Sequence, residues 1–166
     1  METNENLMKA FAGESQANRR YLAFAKKAEE EGFKNIARLF RAAARAETIH
    51  AHNHLRTVGE VKSTKENIQA AINGENYEFT KMYPGFIEKA KSEGSEDARR
   101  SFDWANQVEK IHHDLYEKAL ENLGQGKDIE SKDYYVCQTC GNTVEGSPPE
   151  SCPICGFPKS QFKKIE

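Results

Sequence analysis

The sequence predicts a mainly α protein: a four-helix bundle followed by a small C-terminal domain built around four cysteines. Three observations carry this. The first 123 residues are rich in Ala, Glu, Lys, Leu and Arg, and their apolar positions recur every three or four residues, as on helices with one face against a core. Composition then shifts to turn formers: Gly124, Gly126, Gly141, Gly146 and Gly156, with Pro148, Pro149, Pro153 and Pro158. All four cysteines fall between Cys137 and Cys155. The expected organisation is a bundle over 1–123, a polar linker over 124–133 and a small domain over 134–166.

Each helix has its own start and stop signals. The first runs from about Glu5 to Glu31 and ends at Gly32, the second from Lys34 to Val58, ending at Gly59. Ser63 and Glu66 have capping-box spacing and open the third helix, which ends at Gly94. Pro84 and Gly85 predict a kink or break within it. The fourth begins at Ser95 and stops at Gly124. Short connections between four helices make a bundle the natural fold.

Composition excludes several function classes. Apolar residues are 37% and charged residues 30% of 166, a balance that suits a globular chain. The formal net charge of −2 provides no field to attract nucleic acid or an anionic membrane. No apolar run approaches the ~20 residues needed to span a bilayer. The polar, acidic stretch from Met1 to Phe11 is unlike a secretory signal, so a cytoplasmic location is expected.

Carboxylates interrupt the apolar stripes. Stepping by three and four gives Leu7, Phe11, Glu14, Asn18, Tyr21 on the first helix and Phe40, Ala43, Glu47, His50, His54 on the second. The third gives Ile68, Ile72, Glu75, Phe79, Met82, with Glu78 adjacent, and the fourth gives Phe102, Ala105, Glu109, His112, Tyr116. An uncompensated carboxylate in a low-dielectric core costs several kcal/mol. No matching set of core Lys or Arg answers these five, whereas two divalent metals bring +4 against −5. The spacing agrees: Glu47–His50 and Glu109–His112 are both Glu-x-x-His, which puts both side chains of each pair on one helix face. Two such motifs, with one Glu from each of the other two helices, form the di-iron or di-manganese carboxylate pattern. A single Glu-x-x-His arises readily by chance on a solvated helix; two on the stripes of separate helices do not. His52 and His113 fall off the stripes and are expected at the surface, and His54 is expected as a packed core histidine.

Glu78 adds a fifth carboxylate. Its bland interpretation is a rim residue. Its sharper one is a ligand in one oxidation state only: releasing it from a site with two divalent ions makes that site neutral, and neutral His50 can take the open position. One metal is then expected to move between Glu78 and His50 with redox state.

Cys137-Gln-Thr-Cys140-Gly141 and Cys152-Pro-Ile-Cys155-Gly156 are two matched knuckles. Four thiolates in tetrahedral array suit zinc or iron. About thirty residues cannot fold on an apolar core alone, and clustering in one short segment is unlike a disulfide framework. Tyr134, Tyr135, Phe157 and Phe162 are expected to shield the centre.

At this point the sequence resembles the rubrerythrins, over essentially its whole length. The resemblance rests on Ala12-Gly13-Glu14-Ser15, the Glu47–His50 motif, Gly74-Glu75-Asn76-Tyr77-Glu78, Met82-Tyr83-Pro84, the Glu109–His112 motif and the rubredoxin-like Cys152-Pro153-Ile154-Cys155-Gly156. Arg45 and Gln107 stand where many relatives carry acidic residues. The resemblance implies a ferritin-like bundle with two non-haem irons, and a rubredoxin-like domain with one iron held by Cys137, Cys140, Cys152 and Cys155. It implies a peroxidase that reduces hydrogen peroxide to water. Glu47 and Glu109 would bridge the irons, Glu14 would hold one with Glu78 or His50, and Glu75 and His112 would hold the other. Tyr21 and Tyr83 would lie beside the site and hydrogen-bond to its carboxylates. It further implies an external donor, a rubredoxin or an NAD(P)H-dependent reductase, and a homodimer, in some members with exchanged helices. In such dimers the four-cysteine centre of one chain approaches the di-iron site of the other. Two rivals remain: a ferritin-like ferroxidase or iron-handling protein, which has no use for an electron-return centre, and a zinc-ribbon interaction module on a structural bundle, which leaves the core glutamates uncompensated.

Overall fold

Helix ends are written locally in this chain, and the computed structural model, which describes residues 1–166, places them close to where the sequence does. The helices are α1 (Glu2–Glu30), α2 (Lys34–Val58), α3 (Thr64–Tyr77), α4 (Tyr83–Ser92) and α5 (Glu96–Gly124). At the end of α2, Gly59 adopts φ 82°, and the N–H of Glu60 reaches back to the Leu55 carbonyl at 3.2 Å. That closure needs a left-handed residue, which glycine supplies without a Cβ clash. Gly32 and Gly94 close α1 and α4 in the same way. The last helix differs from expectation: Gly124 is still helical, and the left-handed residue is Gly126. At Ser63 the full capping box forms, with hydroxyl and carboxylate each taking the other residue's backbone N–H.

The chain divides into two compact units, 1–62 and 63–166. The first is the α1–α2 hairpin. Its tightly buried residues are small: Ala25, Ala28, Ala37, Ala44 and Ala51, with one polar side chain, Asn18. Ala37, Ala44 and Ala51 recur every seven residues, as do Phe11, Asn18 and Ala25 opposite. Alanines let the helices approach closely. Asn18 offers its Nδ2 to the Ala44 carbonyl (2.6 Å) and Thr48 Oγ1 (2.8 Å), so a buried amide sets the register of the seam. The broad apolar stripe expected on each helix is therefore two faces: an alanine seam, and a face bearing Glu14, Tyr21, Phe40, Glu47 and His50.

In the second unit α3 and α4 pack against α5 around Ile72, Ala90 and Val108. Phe86 and Phe102 pack as a tilted pair at 5.5 Å, with Tyr83 at 6.3 Å from each. The expected kink at Pro84 takes another form. Residues Glu78–Met82 make a π-helical turn, in which the Tyr83 N–H bonds to the Glu78 carbonyl five residues back. Pro84 has no N–H for the Thr80 carbonyl and its ring collides there; the wider turn ahead of it absorbs both problems, and Pro84 then sits in the first turn of α4. The C-terminal part is a three-stranded antiparallel sheet in the order β2-β1-β3, from β1 (Tyr134–Cys137), β2 (Thr143–Glu145) and β3 (Phe162–Ile165). Its core is Cys137, Cys152 and Phe162, flanked by Tyr135, Val144 and Ile154. The fold is mainly α, with ferritin-like helices and a rubredoxin-like appendage. No helix is long and apolar enough to cross a membrane.

The alanine seam makes a size-specific prediction. Ala44 is 1% exposed. Ala44→Leu should lower unfolding free energy by about 1–3 kcal/mol in a urea titration, through overpacking. Leucine at the exposed Ala42 should change it by no more than about 0.5 kcal/mol. Equal effects at the two positions would show that the seam is not size-selective.

Candidate metal centres

Within the α1–α2 hairpin, three ligand-type side chains converge. His50 Nδ1 is 3.0 Å from Glu47 Oε2 on the same helix, and 3.9 Å from Glu14 Oε1 on the facing one. Ligand atoms of all three lie within 4.8 Å of one another. The Asn18 bond explains why. Asn18 is one turn beyond Glu14, and Thr48 directly follows Glu47, so the amide that locks the seam also levels the two carboxylates. His50 is more than half exposed on the hairpin. Tyr21, one turn further along α1, lies 6.1 Å from the Phe40 ring.

The second unit repeats this arrangement. His112 Nδ1 is 2.9 Å from Glu109 Oε2 on α5 and 3.9 Å from Glu75 Oε1 on α3, again within the 4.8 Å limit. The other ring nitrogen, Nε2, is 2.9 Å from Thr143 Oγ1 at the start of β2. Glu78 is not part of this trio. It stands one turn after Glu75, at the first residue of the π turn, and its carboxyl is pushed up by burial and then by the Glu109 charge. Glu75 is pushed up to about 7, by burial first and then by Glu109, with His112 pulling the other way. Tyr83 keeps its proton more tightly than a free phenol, through burial and the charges of Glu109, Glu78 and Glu75. Hydrogen bonding to Glu109 raises His112 against the opposing effect of burial. These carboxylates resist ionising together because they are partly buried and face one another. A metal ion removes that conflict, and the donor set, oxygen and imidazole nitrogen, suits iron or manganese.

The four cysteines form a preassembled thiol cage. Cys137 and Cys155 sulfurs are 3.7 Å apart and Cys140 and Cys152 are 3.6 Å apart. Tetrahedral ligands at about 2.3 Å from one ion are spaced by about 3.8 Å, so the cage has the dimensions of a mononuclear thiolate site. Gly141, at φ 84°, turns the first knuckle so that its N–H meets the Cys137 carbonyl at 2.9 Å. In the second knuckle burial pushes the Cys152 thiol up, but the backbone N–H groups of Cys155 and Ile154 outweigh it and hold the group at about 7. Asn142, 1% exposed, adds its Nδ2 at 3.6 Å from the same sulfur. Burial pushes Cys140 and Cys155 upward, as expected for crowded thiols that need a cation to ionise together.

Three features escaped the sequence. His113 is not a surface residue: its side chain is 12% exposed and lies edge-on to Phe79 at 5.4 Å, because the π turn carries that ring to α5. Asn18 was visible on a stripe, but a polar residue on a seam of alanines is the signal that gives it a role. Asn142 and Thr143 directly follow the first knuckle, at positions where the Cys-x-x-Cys-Gly pattern is silent. His52 is exposed, as expected, and His54 is half-buried.

Comparison with known proteins agrees across the chain. Residues 5–120 match the rubrerythrin family and residues 135–163 the rubredoxin-like domain of rubrerythrin. Rubrerythrin-2 of Clostridium acetobutylicum is 38% identical over 97% of this chain and 95% of its own length. Nigerythrin of Nitratidesulfovibrio vulgaris is 38% identical over 96% of this chain and 85% of its own. A solved structure of fully reduced, all-ferrous nigerythrin aligns with TM-score 0.59 at 37% identity, covering 98% of this chain and 86% of that one.

The crowded carboxylates predict a pH response of the metal-free protein. Glu75 ionises near 4.5 when unfolded and near 7 when folded, so folding binds a proton in that window and stability falls as pH rises through it. His112, raised above 6.5, adds stability below that value that is lost as pH rises past its folded pKa, so the two act in the same direction. Urea titrations of chelator-treated protein should show lower stability at pH 8 than at pH 5, a slope flattened by Glu75→Gln and opposed by added divalent metal. Stability that rises across this range would contradict the crowding.

Proposed function

The chain belongs to the rubrerythrin family, which pairs a di-iron site with a rubredoxin-like four-cysteine iron, and we propose that it is a non-haem peroxidase that reduces hydrogen peroxide to water in oxidative-stress defence. The observation that carries this reading is the coexistence of two carboxylate–histidine sets with a preassembled thiol cage on one chain. A ferroxidase needs the first and has no use for the second.

The first unit supplies Glu14, Glu47 and His50 as iron ligands, and the second supplies Glu75, Glu78, Glu109 and His112. Glu47 and Glu109 would be the carboxylates shared by the two irons, as the family resemblance implies. When bound, a ferrous pair offers both electrons of O–O cleavage at one place, while a four-thiolate iron returns electrons singly. Around them the chain's own groups manage charge and protons. Glu78, outside the His112 trio and pushed up by burial, would be the redox-dependent ligand, with His50 its alternate. The Tyr83 hydroxyl, held protonated beside three glutamates, is a hydrogen-bond donor at the site's edge. Tyr21, Phe24 and Phe40 form an aromatic cluster on the same hairpin, with Tyr21 two turns after Glu14 and Phe40 two turns before Glu47. In the small domain the N–H groups of Ile154 and Cys155 hold thiolate charge on Cys152. Residues 1–123 act as the di-iron part, 124–133 as the linker and 134–166 as the electron-return part. The physiological reductant is an external donor, a rubredoxin or a reductase fed by NAD(P)H, since the sequence carries no Gly-x-Gly-x-x-Gly. The protein works in the cytoplasm as a homodimer; the same helix stripes serve bundles with or without helices exchanged between copies.

Two measurements test this. Purified protein should carry about three irons per chain, with thiolate-to-iron charge-transfer bands. In stopped flow the reduced protein should oxidise faster with hydrogen peroxide than with oxygen; the reverse order would favour the ferroxidase. Crystal structures of the oxidised and reduced forms should differ in one iron's ligand, Glu78 against His50. Identical ligands in both would remove the exchange.

A further inference from the structure

The two cysteine knuckles repeat one backbone pattern. Gly141 and Gly156 each return an N–H to the carbonyl of the knuckle's first cysteine, Cys137 or Cys152, at 2.9 Å. The residue after each glycine, Asn142 or Phe157, gives its carbonyl to the N–H of that same cysteine, at 2.9 and 2.8 Å. Its own N–H meets the sulfur of the second cysteine, Cys140 or Cys155, and in both places pulls against the effect of burial on the thiol. The backbone therefore treats the two knuckles alike, and the side chains do not. Phe157 carries no donor and is 45% exposed. Asn142 is 1% exposed and crosses to the other knuckle, with Nδ2 3.6 Å from the Cys152 sulfur. Its Oδ1 is buried and has no hydrogen-bond partner. A buried carbonyl oxygen without a donor costs free energy. A leucine would fill the same place without that cost. Reversing the amide would aim the oxygen at a thiolate, which can only accept. The orientation is thus explained by negative charge on Cys152, which a metal-bound thiolate keeps.

We propose that Asn142 is a positioning residue that raises the reduction potential of the four-cysteine iron, its Nδ2–H donating to the Cys152 thiolate from the opposite knuckle. The inference rests on iron in the cysteine cage and not on the peroxidase reading. One electron from the external donor converts the ferric ion to ferrous; no bond forms or breaks and no proton moves. The added charge spreads onto the sulfurs, so a donor aimed at one of them stabilises the ferrous state more than the ferric. Hydrogen bonds to sulfur are among the factors that set such potentials. The backbone donors of both knuckles are fixed by the path of the chain, so any residue at 142 other than proline keeps them. Only the side chain there is variable, and that makes this position the place where the sequence chooses the potential. A centre with a higher potential fills more readily from its donor and passes its electron on with less drive.

The test is a redox titration of full-length, iron-loaded protein, followed in the thiolate-to-iron band of the cysteine site. Asn142→Leu fills the space and removes the donor. At a fixed potential it should shift the ratio of the two iron states about threefold to tenfold towards ferric, a fall of about 28–59 mV at about 59 mV per tenfold for one electron. The direction separates this from a loosened cage. Water admitted to the site would stabilise its more charged ferrous state, and the potential would rise. The bundle irons should titrate as in wild type. An unchanged or raised potential in Asn142→Leu would overturn the proposal. If Asn142→Leu binds no iron, wild-type protein decides. With ¹¹³Cd in the cysteine site and ¹⁵N label, a side-chain amide proton of Asn142 should show scalar coupling to the cadmium through the Cys152 sulfur. An Asn142 amide without that coupling also overturns it. A protein that ignores peroxide would defeat the peroxidase reading and leave both measurements unaffected.

Discussion

Placing carboxylates on faces that helices use for burial is the constraint from which the rest of this structure follows. Glu75 shows the cost, since it stays protonated to about pH 7 when only Glu109, Glu78 and His112 surround it. Such a group is tolerable for two reasons: a histidine is already within hydrogen-bond reach of its neighbour, and a multivalent cation can replace the missing counter-charge. The same physics makes the site responsive. Groups that crowd one another without a cation change protonation or position readily when the charge between them changes. The thiol cage is the opposite case. Its sulfurs are spaced for one ion by two turns and a sheet, so charge there can change with little movement.

Much of the fold supplies the precision that this constraint demands. Alanines bring α1 and α2 close enough for a buried amide to cross between them, and that amide levels Glu14 with Glu47. Bulkier seam residues would separate the helices and leave the carboxylates without common partners. On α3 the π turn acts more locally. It accommodates Pro84 without ending the helix, and it sets Glu78 and Tyr83 on either side of a widened turn. Glu78 thereby stays within electrostatic reach of Glu109 while standing apart from the trio. A straight α-helix would hold it in the same rigid ladder as Glu75.

The small domain makes direct contact with the last helix. Its first knuckle leads directly into β2, and β2 presents Thr143 to α5. A glycine carbonyl and a threonine hydroxyl thus lie between the first cysteine knuckle and the His112 imidazole. An apolar cavity of about 340 Å³ borders this junction, lined by Leu115, Tyr116, Ala119, Ile129 and Tyr134 beside His112 and Thr143.

What the sequence alone determined is whatever is local. Capping boxes, Schellman glycines and Cys-x-x-Cys-Gly turns act within a few residues, so their positions could be read directly; only the end of α5 slipped, from Gly124 to Gly126. Glu-x-x-His pairs are local too, and Glu47–His50 and Glu109–His112 both close as the helical period requires. Tertiary structure decided the rest, because the partners are distant in sequence. Asn18 meets Thr48 across thirty residues, and His112 meets Thr143 across thirty-one. His113 was expected at the surface because its own helix leaves it off the stripe; the Phe79 ring that covers it belongs to another helix. Periodicity reports which face a residue shares on its own helix. It carries no information about which side chain from elsewhere arrives at that face, and here those arrivals set the burial and hydrogen bonding of the candidate ligands and their neighbours.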